Sequence, residues 1–250
     1  MAKKAPKKQK KVVDVRATLN DMLSALQYPF HNLEHARMRE RVIMVMIGNL
    51  LPFEQERFDR EKTDLLVDCV YFSLLGYLEN PMNGESRESQ SLDAFESRFG
   101  NSYSSQSRES VKRTLRLGPY GGPVETDERT GSRKRRMLTV AQKIYLLSDD
   151  YAFACGWDMF VEERLKAYAE SRVGQERSVD DFLEMQMRLV KDHLRPMVVA
   201  MEDMWDRGYY RSLLMALDTI DGRIASVRDD VNVRGELEAR LRPAEVDVPV

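Results

Sequence analysis

Cysteine is scarce in this chain. Cys69 and Cys155 are its only two, each in an apolar stretch and neither part of a Cys-x-x-C pair. That excludes a disulfide framework and thiolate metal clusters, and it reads as reduced core residues of a cytoplasmic protein. No apolar run approaches the ~18 residues of a membrane span. The longest, Leu65 to Leu78, is shorter, and the lysine-rich start is not followed by a signal-peptide core. These features predict a chain with no membrane association. Strictly alternating apolar and polar segments are essentially absent, which leaves little from which to build a sheet. The glycines of Gly118-Pro119-Tyr120-Gly121-Gly122 lack the spacing of any phosphate-cradling loop, and no internal repeat is present. Histidine is limited to His31, His35 and His193.

With 250 residues, 42% of them apolar and 32% charged, the chain is long enough for one substantial core and has a helix-rich composition. The formal net charge of −2 hides a division, because six lysines lie within residues 1–12; without them 33 basic residues face 41 acidic ones, a balance of −8. Residues 1–12 therefore read as a disordered basic tail, residues 13–228 as the helical domain and residues 229–250 as a C-terminal extension. Lys7, Lys8, Lys10 and Lys11 in the tail, and Arg133, Lys134, Arg135 and Arg136 in the glycine-bearing stretch 118–138, are candidate polyanion contacts. Their partner would be a nucleic acid, a nucleotide or an acidic protein; a purely solubilising tail is the equal alternative.

Helical periodicity runs through most of the rest. Val15, Leu19, Met22, Leu23 and Leu26 share one stripe. Arg37 to Leu51 starts charged and turns apolar nearly all round, as a helix entering the core from a wet end. Leu65 to Leu78 reads as the central helix of a bundle. Ser89–Phe99 and Ser107–Leu117 are short amphipathic helices, followed by a segment of about 20 residues without secondary structure. Thr139 and Gln142 form a capping box that opens a long helix running through Asp149 and Asp150 towards Gly156. Ser178 starts a helix whose stripe leads to His193, read as structural or surface, and Tyr209–Val227 is a further amphipathic helix. The expectation is an all-α fold, a single multi-helix bundle.

Chemistry concentrates at Phe30-His31-Asn32-Leu33-Glu34-His35. In a helix, the i and i+4 histidines would share a face. This stretch resembles the Tyr-His-Asn-x-x-His opening of the HD superfamily of metal-dependent phosphohydrolases. The later segment Ser148-Asp149-Asp150-Tyr151-Ala152-Phe153-Ala154-Cys155-Gly156 is similar to that family's D-A-D-R-L-D-A-L-G stretch. The resemblance implies an HD-like bundle with His35 and Asp150 as metal ligands and His31 as a general acid near a phosphate. The family's His-Asp pair, however, is replaced by Ser73 and Leu74, and Asn83-Gly84-Glu85 lacks the histidine of an Asn-His-Glu-Glu pattern. A catalytic divalent centre needs about three protein ligands with an open position, and two remain. The cofactor expectation is accordingly no metal or a weakly held divalent ion. Two functions follow. One is a degenerate HD-like binding or assembly module for a polyanion, nucleotide or partner protein, without hydrolase activity. The alternative is a phosphohydrolase acting on a nucleotide-type phosphoester through an altered metal site.

Overall fold

The computed structural model describes residues 14–78, 86–117, 138–171 and 178–241, with the backbone of two short strands at 125–126 and 133–134. In chain order the helices are α1 (Val15–Leu23), α2 (Leu33–Gly48), the one-turn α3 (Pro52–Gln55), α4 (Arg60–Ser73), α5 (Arg87–Arg98) and α6 (Ser105–Leu115). After β1 (Glu125–Thr126) and β2 (Arg133–Lys134) come α7 (Val140–Asp149), α8 (Trp157–Ser171), α9 (Val179–Arg188), α10 (Arg195–Val199), α11 (Arg207–Asp229) and α12 (Val231–Leu241). The fold is all-α; among the described residues the two-residue strands pair antiparallel, and Leu50 and Trp205 form an isolated antiparallel bridge.

α4 is the axis. Asp59 caps it, its carboxylate accepting from Lys62 N–H at 2.8 Å, and every residue from Leu66 to Phe72 is buried. Burial all round requires neighbours all round, and α4 packs against α1, α2, α5, α6 and α7. Asp68, the one charge in that run, is satisfied by Arg16 Nε of α1 at 2.9 Å and by Tyr103 Oη at 2.9 Å. Burial still pushes its carboxyl upward despite these partners.

The end of α4 shapes the cavity described below. The chain tightens into a 3-10 turn, Leu75–Tyr77, which packs on α5. A side-chain carbon on Gly76 would stand 2.3 Å from the Arg87 carbonyl oxygen, so only glycine lets the two backbones meet. Ser91 Oγ joins them, accepting from Gly76 N–H at 2.9 Å and donating to the Ser73 carbonyl at 2.9 Å. Tyr77 is thereby held at the mouth of the cavity.

Four differences from the sequence expectation have identifiable causes. The helix opened by the Thr139–Gln142 capping box stops at Asp150 (φ −111°, ψ 15°) and passes through a 3-10 turn, Tyr151–Cys155. It restarts after Gly156, whose φ of +102° lies in the region glycine favours. The stretch 118–138, expected to lack secondary structure, contains the β1–β2 pair. Between α9 and α10, Leu189–Leu194 widens into a π-helical turn that ends two residues before Pro196. Proline supplies no N–H to an α-ladder, and an inserted residue is one way a helix accommodates that. Finally, α12 docks on α8, α9 and α11, burying Leu237 and Leu241 and pairing Arg234 with Asp180 at 2.8 and 2.9 Å. The folded body therefore runs past residue 228.

Gly76→Ala should lower the free energy of unfolding by about 1–3 kcal/mol, the usual cost of forcing atoms into a filled contact. Gly48→Ala, with nothing within 4 Å of the added carbon, should be neutral or slightly stabilising. Urea midpoints of the two variants check the contrast.

Candidate functional site

A cavity of about 300 Å³ opens between α2, the α4–α5 junction, α7, α8 and the π-helical turn. His31, Arg39, Ser73, Tyr77, Asp149, Asp150 and Arg164 line it, with Met185, His193 and Met197 on the far wall.

The histidine motif is built around a cap. Asn32 is the N-cap of α2: its side-chain oxygen accepts from His35 N–H at 2.9 Å while its amide donates to the Tyr28 carbonyl at 2.9 Å. His31 therefore precedes the helix instead of sharing its face, although the two imidazole centroids lie only 6.3 Å apart. His35 is in the first turn and 4% exposed. One turn on, Arg39 is equally buried.

These two residues meet the end of α7. His35 Nε2 lies 3.1 Å from Asp149 Oδ1, and Arg39 Nη1 lies 2.9 Å from the same oxygen. Arg39 spends its remaining nitrogens on Ser148 Oγ (3.2 Å) and the Tyr145 carbonyl (2.9 Å), and its guanidinium sits 4.8 Å from the Tyr145 ring centroid. On its other side, His35 Nδ1 faces Glu163 Oε2 at 3.8 Å, an ion-pair contact too long for a hydrogen bond. Asp150 points to α8 and pairs with Arg164, whose Nε donates to Gln186 Oε1 at 3.0 Å.

The protonation states follow from this geometry. Burial by itself would lower the His35 pKa, but the Asp149 hydrogen bond and the facing Glu163 outweigh it and raise it. Burial works to raise Asp149, yet the Arg39 and His35 charges hold it far below the usual carboxylate range. Facing His35 pulls Glu163 down to about 2 against the effect of burial, with Lys166 Nζ adding at 2.7 Å. Asp150 moves the other way: burial raises it in spite of Arg164.

The donor set does not fit a catalytic divalent ion. A metal-binding imidazole must be neutral with a lone pair free, and both nitrogens of His35 face carboxylates that favour its protonated form. The two aspartates are already paired with guanidinium groups. Ser73 lines the cavity but gives its hydroxyl proton to the Val70 carbonyl at 2.7 Å, and Leu74 is in the core. No group of three or more His, Cys, Asp or Glu suited to a metal occurs among the described residues.

The sequence match placed Asp150 opposite His35; the carboxylate in contact is that of Asp149, while Asp150 serves Arg164. α7 ends at Asp149, Asp150 leaves helical geometry as its C-cap, and both carboxylates line one cavity. His193, read as structural or surface, is also in the lining. Lys7, Lys8, Lys10, Lys11, Arg135 and Arg136 lie outside the described residues, and Arg133 and Lys134 are described only as the backbone of β2. Sequence reading missed Arg39, Asp149, Glu163, Arg164 and Glu170. One signal was present, since His31, His35 and Arg39 recur at four-residue spacing. The α8 partners carry no such mark.

No family model, no curated protein and no solved structure matches the chain.

Arg39→Gln should cost about 1.5–3 kcal/mol, the usual loss for hydrogen bonds to a charged group, because the part-exposed Asp149 carboxylate keeps His35. His35 has a raised folded pKa, so its contribution is fully present below about 6.5 and is lost as pH rises through the folded value. The gap in Tm between the parent and His35→Gln should thus be largest near pH 6 and narrow towards pH 9. A gap that widens with pH would overturn the assignment.

Proposed function

We propose that this protein is a helical binding module that does not hydrolyse phosphoesters through a metal, and that its cavity receives a phosphate-bearing ligand of nucleotide type. One observation carries the reading: Arg39 and Arg164 supply, as fixed side chains, the positive charge that a divalent ion would bring to Asp149 and Asp150. A guanidinium offers planar, forked donors suited to phosphate oxygens, but it cannot generate a metal-bound hydroxide.

Three guanidinium groups line the cavity, each near an aromatic face. Arg39 lies 4.8 Å from Tyr145, Arg87 4.8 Å from Tyr77 and Arg164 5.8 Å from Phe30. Such packing holds a cation in place and lessens the freedom it loses on binding. Among the described residues Arg164 Nη2 has no partner once Gln186 and Asp150 are served, and Arg164 is the residue to which an incoming anion would bind. The basic clusters 3–11 and 133–136 would add a salt-sensitive grip on a longer polyanion, a reading that rests on their charge in the sequence.

Purified protein supplied with Mn²⁺ or Co²⁺ should release no phosphate from a panel of nucleoside mono-, di- and triphosphates. Calorimetric titration with the same nucleotides should detect binding that Arg164→Gln weakens about tenfold, the loss of one charged hydrogen bond. Replacing Arg133–Arg136 by glutamine should flatten the salt dependence of oligonucleotide binding without changing nucleotide affinity. Metal-dependent phosphate release abolished by His35→Ala would overturn the proposal in favour of hydrolysis.

A further inference from the structure

His31, in the cavity lining, forms a second histidine–carboxylate pair that shares no hydrogen bond with the network of His35, Arg39 and Asp149. His31 Nδ1 lies 2.5 Å from Glu170 Oε1, and the other carboxylate oxygen of Glu170 accepts from the backbone N–H groups of both Phe30 and His31 at 3.1 Å. Glu170 comes from α8, 139 residues away in sequence, so tertiary packing alone brings the pair together. Its carboxylate is fully committed. Burial works to raise its pKa, but His31 and the two backbone donors outweigh that, and it stays ionised.

The imidazole is fixed on its remaining sides. Tyr77 stacks on it with ring centroids 4.2 Å apart and planes 17° from parallel, and Phe30 meets it edge-on at 4.9 Å. Neither tyrosine nor phenylalanine competes for a ring nitrogen. The His31 side chain is 27% exposed, it lines the cavity, and Nε2 has no partner among the described residues. A carboxylate at Nδ1 places the ring proton on that nitrogen, which leaves the Nε2 lone pair for whatever occupies the cavity. By contrast, His35 lies deeper, with both nitrogens turned to carboxylates, and has no such lone pair.

We propose that His31 is a metal-independent proton-transfer group acting on a small oxygen ester in the cavity, with Glu170 as the residue that positions it. The proposal uses the same cavity but does not rest on the phosphate reading. In the step, Nε2 takes a proton from a water molecule as the water oxygen bonds to the acyl carbon. The bond from that carbon to the leaving oxygen breaks, its electron pair departs with the alcohol or phenolate, and the imidazolium returns its proton to solvent or to the leaving group. This is general base catalysis with the base held in one tautomer, the arrangement in which an orienting carboxylate matters most. Leu146, Met185 and Met197 form an apolar wall suited to the body of a small ester, and Arg164 Nη2 is available to the oxygen on which charge develops.

The test is turnover of p-nitrophenyl acetate by the full-length protein in EDTA. The parent should show saturable hydrolysis, which His31→Gln lowers at least tenfold. Glu170→Gln should lower kcat with KM retained. In parallel, ¹⁵N spectra of the histidine rings should place the His31 proton on Nδ1 in the parent and lose that signature in Glu170→Gln. Melting curves of each variant separate these effects from loss of fold, and the spectra of the parent need no variant at all. Unsaturable hydrolysis, parent-like turnover by His31→Gln, or a proton found on Nε2 would each overturn the proposal. Nucleotide titration of the same samples is read independently, so either reading can fail alone.

Discussion

The Asp149 carboxylate, shared between Arg39 and His35, is the contact on which the organisation of this protein turns. It ties the first turns of α2 to the last turn of α7, two helices that both flank the central α4. The Asp149 side chain is part-exposed, and the charges of Arg39 and His35 hold it ionised. Everything functional is referred to this point. Arg164 repeats the arrangement one residue later at Asp150, and α8, which carries Arg164, also carries Glu163 to His35 and Glu170 to His31. Three charged contacts thus run from α8 to the histidine motif and the end of α7, beside one cavity.

The consequence is a division of labour between the two histidines of the motif. His35 is buried and its charge is used internally. His31 lies before the Asn32 cap, outside the helix, and retains one nitrogen for the cavity. A metal centre would need His35 to give up its proton and the aspartates to give up their arginines, leaving the buried Arg39 guanidinium without its carboxylate. Binding of an anion at Arg164 or proton transfer at His31 needs neither.

Much of the bundle was legible because it is written in local signals. Thr139 and Ser178 were readable as helix starts and a 3.6-residue apolar period marked the other helices, whereas their caps at Asp59, Ser86 and Ser104 came only with the structure. The apolar run before Ser73, interrupted only by Asp68, announced the central helix. The site was legible only in part, because its partners come from distant helices. His31 and His35 stand out by residue type. Arg39 looked like part of the wet end of a helix, and nothing near Glu170 or Arg164 in the chain tells them from ordinary charges on a solvated face. The break at Asp150 was hidden for a physical reason: no proline or glycine marks it until Gly156, so Asp149 and Asp150 were read as diverging on a continuous helix. The π-helical turn that brings His193 and Leu194 to the cavity leaves no periodic trace either.

The most direct test of protein cations standing where a metal would act is thermal unfolding of the parent with and without a saturating divalent ion. Any ligand that binds the folded state alone adds RT ln(1 + [L]/Kd), about 2.7 kcal/mol at a hundredfold excess over Kd. If arginines satisfy Asp149 and Asp150, Tm should be the same in EDTA and in millimolar Mn²⁺, Co²⁺ or Zn²⁺. A rise of several degrees with one of these ions, absent in His35→Ala, would show that the centre accepts a metal and would contradict the assignment.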